Sequence, residues 1–148
     1  MPKNLSKLMD VIFICSSFIF SISVSVLYIA IKLGNMILGQ VCGAIVLSLI
    51  IPFTITLLGY MKEKTERRTI ISHVLILFYL FLELSLDYIL KIPFREILVI
   101  HVPYIIVFYA AMFSMVSVSF GINRKMGFVV TIAFLILIGC LIYYLSPF

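Results

Sequence analysis

The chain has 148 residues, of which 64% are hydrophobic and 11% are charged, and its formal net charge is +5 at pH 7. Soluble domains have nearer half apolar and a quarter charged residues, so this composition excludes an ordinary soluble protein and indicates that lipid surrounds most of the chain. The length fits a single domain, because the polar stretches are all too short to form a separate soluble one.

The first predicted element is a membrane-spanning helix over about residues 10–31. At about 1.5 Å per residue, a helix of this length crosses a hydrocarbon core of about 30 Å. Its polar residues recur every three or four positions and therefore share one face: Ser17, Ser21, Ser25, Tyr28 and Lys32. Because small hydroxyl residues let helices approach closely, this face is expected to pack against other helices.

The second predicted span covers about residues 36–60 and follows a tight turn. Gly34 and the asparagine after it accept the backbone conformation of a helix end, so the first two spans should form an antiparallel hairpin. Gly39 and Gly43 form a GxxxG pattern, which gives weak support for self-association as a homo-oligomer. Pro52 lacks a backbone N–H and is expected to kink the helix.

Three further spans follow, over about residues 69–90, 97–120 and 127–145. The charged loop 61–68 leads into the first of them, and short turns separate the others. Each apolar run is long enough to cross a membrane. The predicted fold is therefore an all-α integral membrane protein, a bundle of five transmembrane helices that forms one domain.

The distribution of positive charge predicts the orientation of this bundle. The N-terminal head, the loop 61–68 and the turn 121–126 together carry eight Lys and Arg residues, whereas the polar segments on the other side carry three. The positive-inside rule then predicts a cytoplasmic N-terminus and an outside C-terminus in the cell (plasma) membrane. Basic residues beside apolar spans also favour membrane lipids as partners, and we expect no nucleic-acid partner.

Two carboxylates lie inside the third apolar span, where ionisable residues are rare and usually functional. Glu83 and Asp87 are one helical turn apart, and Glu83 lies about 10 Å below the predicted outer edge. On the predicted topology, polar groups of several other segments reach the same layer. The candidate ligand- or proton-binding residues are Glu83, Asp87, His101, Tyr104, Arg95 and Gln40.

Three functions fit this polar layer. The leading one is a small ligand or ion bound in an outward-facing pocket, in a carrier, a sensor or an accessory subunit of a membrane complex. The second is an intramembrane enzyme for a lipid-like substrate, with Glu83 or Asp87 as acid/base and His101 assisting. The third is a purely structural partner, whose GxxxG and serine faces dock other membrane proteins. In that case Asp87 pairs with Lys91, Glu83 pairs with Arg95 or His101, and the network only fixes helix register.

Several common signatures are absent from the sequence. It contains no HExxH, no Walker loop and no CxxC, which leaves the enzyme hypothesis without a specific reaction. His73 and His101 differ by about 20 Å in predicted depth, too far for one haem to bridge. The sequence therefore predicts no cofactor and no metal ligand, and His73 is expected to be an interfacial residue hydrogen-bonded to a neighbour.

Overall fold

The structure is a computed structural model that describes residues 3–62, 66–91 and 97–147. Within these ranges the chain is helical and contains no strand. The helices are α1 (Lys3–Lys32), α2 (Met36–Ser48), α3 (Ile50–Lys62), α4 (Arg67–Glu83), a π-helix (Leu84–Ile89), α5 (Leu98–Ile122) and α6 (Arg124–Leu145). They form five runs that are long and apolar enough to cross a membrane, which confirms the predicted helical class and the predicted number of spans.

The five runs close into a ring. Runs that follow one another in sequence pack side by side, and α1 also packs along α6, which joins the first run to the last. The Lys32 ammonium reinforces this closure, because it donates to the Ser146 carbonyl at 2.9 Å and to the Ser146 hydroxyl at 2.7 Å. The end of the bundle that holds Lys32, Gly34 and Ser146 is termed the Gly34 end, and the opposite end is termed the Asn123 end.

The turn between α1 and α2 follows the sequence prediction. Gly34 has φ +74°, in the left-handed region that glycine adopts without strain. The next residue, Asn35, caps α2, since its side-chain oxygen accepts a hydrogen bond from the Leu38 N–H at 3.1 Å. The chain reverses at this point, and α2 packs back along α1 as a hairpin.

The second run is interrupted at Leu49, between α2 and α3. Pro52 has no N–H, so the carbonyl of Ser48, four residues earlier, lacks its helical partner and the helix breaks within one turn of the proline. The two halves of this run, α2 and α3, have different neighbours. Whereas α3 packs against both α1 and α4, α2 packs mainly against α1. Space is therefore left beside α2 at the Gly34 end.

The third run changes its helical type after Glu83. The sequence predicts one regular helix over residues 69–90, but the structure has α4 followed by the π-helix. The Leu90 N–H donates a hydrogen bond to the Ser85 carbonyl at 2.8 Å. This bond joins residues five positions apart, whereas α-helical hydrogen bonds join residues four positions apart. Such π segments are rare and occur frequently at functional sites, because they shift the direction of the side chains that follow.

The interior of the bundle is apolar and tightly filled. Fully buried side chains from all five runs form its centre: Phe13, Phe20, Phe53, Ile76, Leu80, Met112, Met115 and Leu137. The predicted serine face of α1 also lies inside, with Ser17 and Ser21 completely buried. The outside carries large exposed apolar side chains along every run, such as Phe78 and Leu135.

Candidate functional site

A cavity of about 390 Å³ lies at the Gly34 end, between α1, α2, α4 and the π-helix. This volume falls within the range of small-molecule sites, about 300–1,000 Å³. Aliphatic side chains of α1 and α2 form one wall. The polar and aromatic lining consists of Tyr28, Gln40, Tyr79, Glu83, Asp87, Tyr88 and Tyr104.

Glu83 is the more buried of the two acidic residues of this cavity, with 7% of the residue exposed, whereas Asp87 is half-buried. Its Oε2 atom accepts a hydrogen bond from the Tyr79 hydroxyl at 3.2 Å and another from the Tyr104 hydroxyl. The two hydroxyl oxygens lie 3.1 Å apart, so both tyrosines converge on one carboxylate oxygen. Because Tyr104 belongs to α5, this arrangement ties α5 to α4 beside the cavity.

Ring contacts hold the two tyrosines in place. The ring centroid of Tyr79 lies 5.8 Å from that of Phe20, 5.3 Å from that of Phe108 and 5.8 Å from that of Tyr104. Aromatic pairs at these separations stabilise defined orientations. The wall of the cavity around Glu83 is therefore ordered by packing from α1 and α5 before any ligand is present.

The π-helix brings two further residues to the cavity, Asp87 and Tyr88. In a regular helix of about 3.6 residues per turn, Tyr88 would lie about 140° around the axis from Glu83. The five-residue hydrogen bonds of the π-helix widen the turn and bring Tyr88 towards the Glu83 face. Both residues contribute to the cavity wall, although they are consecutive in sequence.

The two glycines of the GxxxG pattern serve contacts within this chain. A Cβ atom on Gly43 would collide with the Tyr88 hydroxyl, so a larger residue at this position would displace the Tyr88 side chain. A Cβ atom on Gly39 would lie 3.8 Å from a methyl of Leu27, an ordinary contact. Close packing inside the bundle therefore accounts for glycine at position 43 but not at position 39.

The opening of the cavity is indicated by its most exposed lining residues. Met36 is 71% exposed and Tyr88 is 44% exposed, and Gln40 is also an exposed residue. These residues belong to α2 and the π-helix, so the cavity opens between these two elements. Tyr88 lies at this opening with its hydroxyl against Gly43.

A second cavity of about 290 Å³ lies between α1, α5 and α6. Tyr28 and Tyr104 line both cavities and form a wall between them. His101 lines the second cavity, where its ring is stacked parallel to that of Tyr104 with centroids 6.3 Å apart.

The structure brings together four of the six residues selected from the sequence: Glu83, Asp87, Tyr104 and Gln40. His101 does not line their cavity but lies behind Tyr104, in the second one. The sixth residue, Arg95, lies outside the described residues.

Three tyrosines that are not among the residues predicted from the sequence also line the cavity: Tyr28, Tyr79 and Tyr88. Tyr79 could have been selected, since it precedes Glu83 by one regular helical turn. Tyr88 could not have been found from helical periodicity, because only the π-helix turns it inward. The sequence feature that could have indicated Tyr88 is Gly43, which accommodates its hydroxyl and lies 45 residues away in sequence.

The chemistry that this site offers is limited to carboxylate, hydroxyl and amide groups among aromatic and aliphatic walls. Within residues 3–62, 66–91 and 97–147, no group of three or more His, Cys, Asp or Glu side chains is arranged to hold a metal ion. Comparisons with known protein families, with curated proteins and with solved structures found no match.

Proposed function

We propose that this chain is a membrane protein that binds a small ligand in the cavity beside Glu83, as a carrier, a sensor or an accessory subunit of a membrane complex. The observation that carries the proposal is a cavity of about 390 Å³ with a buried carboxylate in its wall. A largely apolar, concave site with a few convergent polar groups is the usual form of a small-molecule site.

The exposed surface of the bundle supports insertion in a membrane. Large apolar side chains are exposed on each run, for example Ile51 at 65%, Phe113 at 61% and Leu135 at 60%. In water, such continuous apolar surface would lead to aggregation, whereas lipid solvates it. We therefore propose the plasma membrane as the location and membrane lipids as the immediate partners of the chain.

The proposed orientation places the N-terminus inside and the C-terminus outside. Exposed basic residues next to the Asn123 end support it: Arg67, Arg68, Arg124 and Lys125. In this orientation the Gly34 end, and with it the cavity, faces outward.

Fusion reporters test this orientation. An alkaline phosphatase fused after residue 148 should be active, because it folds only outside the cytoplasm, and a fluorescent protein at the same position should stay dark. Fusions after Lys62 should show the reverse pattern. A dark phosphatase with a bright fluorescent protein at the C-terminus would contradict the proposed orientation.

A stability screen tests the ligand site. The purified protein in lipid nanodiscs is heated with small cations, amines, acids and neutral metabolites. A ligand at about 100 times its dissociation constant should add about 2.7 kcal/mol to the free energy of unfolding. Val46 is buried and lines the cavity, so Val46→Phe fills part of the space.

The matched control for this variant is Ile45→Phe, which adds a ring at the neighbouring exposed position of α2. The stabilisation by a ligand should persist in Ile45→Phe and disappear in Val46→Phe. An equal response of both variants would place the ligand outside the cavity and contradict the proposal.

One observation favours a second candidate function, a structural partner. The hydrogen bonds of Glu83 with Tyr79 and Tyr104 join α4 to α5 and would fix helix register on their own. This candidate predicts that Glu83→Gln destabilises the protein and that no ligand restores the loss. The enzyme hypothesis has less support, because His101 lines a different cavity from Glu83 and Asp87.

A further inference from the structure

We propose that the ligand of the cavity beside Glu83 is a small organic cation, a quaternary or protonated amine with an apolar body. This inference rests on the proposed function and names its ligand class. It follows from the charge of the cavity wall, the direction of its hydroxyl groups, its aromatic rings and the apolar remainder of its lining.

The charge of the lining favours a cation. Glu83 and Asp87 are its charged residues, and the other described residues of the lining are all uncharged. Charges in a low-dielectric interior interact strongly with a ligand that is itself excluded from water. Two acidic groups on one cavity therefore favour a positive ligand over a neutral or a negative one of the same shape.

The hydroxyl groups of the wall disfavour an anion. A bound anion requires hydrogen-bond donors, and the two most deeply placed donors are the hydroxyls of Tyr79 and Tyr104. Both hydroxyls donate to Glu83 Oε2. An anion in the cavity would therefore meet the carboxylate and the hydroxyl oxygens instead of the hydroxyl protons.

The aromatic rings suit a positively charged nitrogen. Four tyrosines line the cavity: Tyr28, Tyr79, Tyr88 and Tyr104. The face of an aromatic ring attracts a cation within about 6 Å of its centroid, and several such rings together bind quaternary ammonium groups. Ring contacts already hold Tyr79 and Tyr104 in position, so little of the binding energy is needed to order them.

The remaining lining distinguishes an organic cation from a metal ion. Calcium needs about six to eight oxygen ligands, whereas most of this wall is aliphatic, with Val24, Leu27 and Val46 among its members. An apolar ligand body would fill that part of the cavity. The exposed rim at Met36 is also apolar, which suits an amphipathic amine that arrives from the surrounding lipid.

The test compares three probes that share a benzyl group and differ in charge. Benzyltrimethylammonium is the cation, neopentylbenzene is its neutral isostere with carbon in place of nitrogen, and phenylacetate is the anion. Affinities are measured by calorimetry in nanodiscs of zwitterionic lipid, so that lipid charge does not attract the probe. We expect the cation to bind at least about tenfold more tightly than its isostere, a difference of about 1.4 kcal/mol.

Two variants test whether the preference for the cation depends on the carboxylates of the cavity. Glu83→Gln and Asp87→Asn should each weaken binding of the cation by about tenfold and leave binding of the neutral isostere unchanged. The matched control is Glu66→Gln, the same chemical change at an exposed position at the Asn123 end. If Glu83→Gln fails to fold, Asp87→Asn and the probe comparison on the wild-type protein still decide the question.

The outcomes separate the ligand class from the proposed function. Equal affinity for the cation and the isostere, or a preference for phenylacetate, would overturn the organic-cation inference while leaving a ligand-binding cavity in place. Cation binding that survives in Val46→Phe, Glu83→Gln and Asp87→Asn alike would overturn the inference as well, because the probe would then bind elsewhere. Failure of all three probes, together with a wider screen that gives no response sensitive to Val46→Phe, would overturn both proposals.

Discussion

Two carboxylates of this bundle accept a hydrogen bond from a tyrosine of another helix, one at each end of the ring. At the Gly34 end, Tyr104 of α5 donates to Glu83 of α4. At the Asn123 end, Tyr60 of α3 donates to Asp10 of α1. Each tyrosine also has a ring contact with a histidine, since Tyr104 is stacked on His101 and Tyr60 lies edge-on to His73.

The surroundings of the two clusters differ. His73 is completely buried, with ring centroids 4.8 Å from Phe13 and 5.1 Å from Tyr60. Its Nδ1 atom lies 2.8 Å from the Thr69 carbonyl, which confirms the predicted hydrogen bond to a neighbour. Neither of the two cavities described above is lined by these residues, whereas Glu83 and Tyr104 both line the larger one.

The comparison shows that residue types alone do not distinguish a packed polar network from a candidate binding site. Both clusters contain a carboxylate, a tyrosine and a histidine in an apolar bundle. The difference lies in the neighbouring space. Aromatic rings surround His73 at the Asn123 end, whereas a cavity lies at the Gly34 end, between α2, which ends before the break at Leu49, and the π-helix that follows α4.

The largest effect is expected at the packed cluster. His73→Ala should lower the free energy of unfolding by about 3 kcal/mol, because it leaves a void between two buried rings. Ligand binding at the other end should be unchanged. Denaturant unfolding in detergent micelles measures the loss, with Val74→Ala, an exposed neighbour on the same helix, as the control. A loss below about 1 kcal/mol would contradict the tight packing of His73. Weaker ligand binding would show that the two ends of the bundle are coupled.

Two variants that each replace a carboxylate with an amide, Glu83→Gln and Asp10→Asn, compare the two ends of the bundle directly. Glu83→Gln should reduce the stabilisation by ligand from about 2.7 to about 1.4 kcal/mol at about 100 times the wild-type dissociation constant, because the affinity falls about tenfold. It should change the stability of the ligand-free protein by less than about 1 kcal/mol, since weaker hydrogen bonds offset the lower cost of burying a charge.

The partner variant Asp10→Asn should have the opposite profile. It should retain the full response to ligand and lose about 1 kcal/mol of stability through a weaker hydrogen bond from Tyr60. Thermal unfolding with and without ligand measures both quantities. If Glu83→Gln loses several kcal/mol without ligand, the cluster at the Gly34 end is structural after all.

The glycine pair tests the geometry of the opening. Gly43→Ala should displace Tyr88 and weaken ligand binding by about tenfold, or about 1.4 kcal/mol. Gly39→Ala should leave binding nearly unchanged, because the added methyl makes ordinary contacts. Calorimetry in nanodiscs measures both. Equal losses in the two variants, accompanied by a change in oligomeric state, would indicate that GxxxG contacts a second copy instead.

The smallest expected effects come from removing single hydroxyl groups. Tyr60→Phe and Tyr104→Phe should each lower the free energy of unfolding by about 1 kcal/mol, the usual worth of one hydrogen bond. Only Tyr104→Phe should also weaken ligand binding, because its hydroxyl helps to orient Glu83. A loss of ligand affinity in Tyr60→Phe would mean that the two ends of the bundle are coupled.

Local features of the fold could be predicted from the sequence because their causes are local. Gly34 forms the turn through its positive φ, and Pro52 interrupts the helix through its missing N–H. Glu83 and Asp87 were selected because charged residues are rare in apolar runs, and both line the cavity. None of these inferences requires knowledge of which helices are neighbours.

The rest of the site depends on contacts between distant segments. A regular period of about 3.6 residues places Glu83 and Asp87 on one face and leaves Tyr88 off it, but the structure turns Tyr88 inward through the π-helix, against Gly43. The rotation of α5 places the Tyr104 hydroxyl against Glu83 and places His101 in the wall of the second cavity. Helical periodicity predicts which residues share a face of a helix. It does not predict which neighbouring helix that face contacts.

By itself, therefore, the sequence determined an all-helical chain with five apolar runs, since hydrophobic length is a property of consecutive residues. Only the tertiary structure decided that one carboxylate cluster is packed and that the other borders a cavity. The physical reason is that a cavity is the space left between helices, and its size and lining depend on how the interrupted second run and the π-helical third run pack around α1.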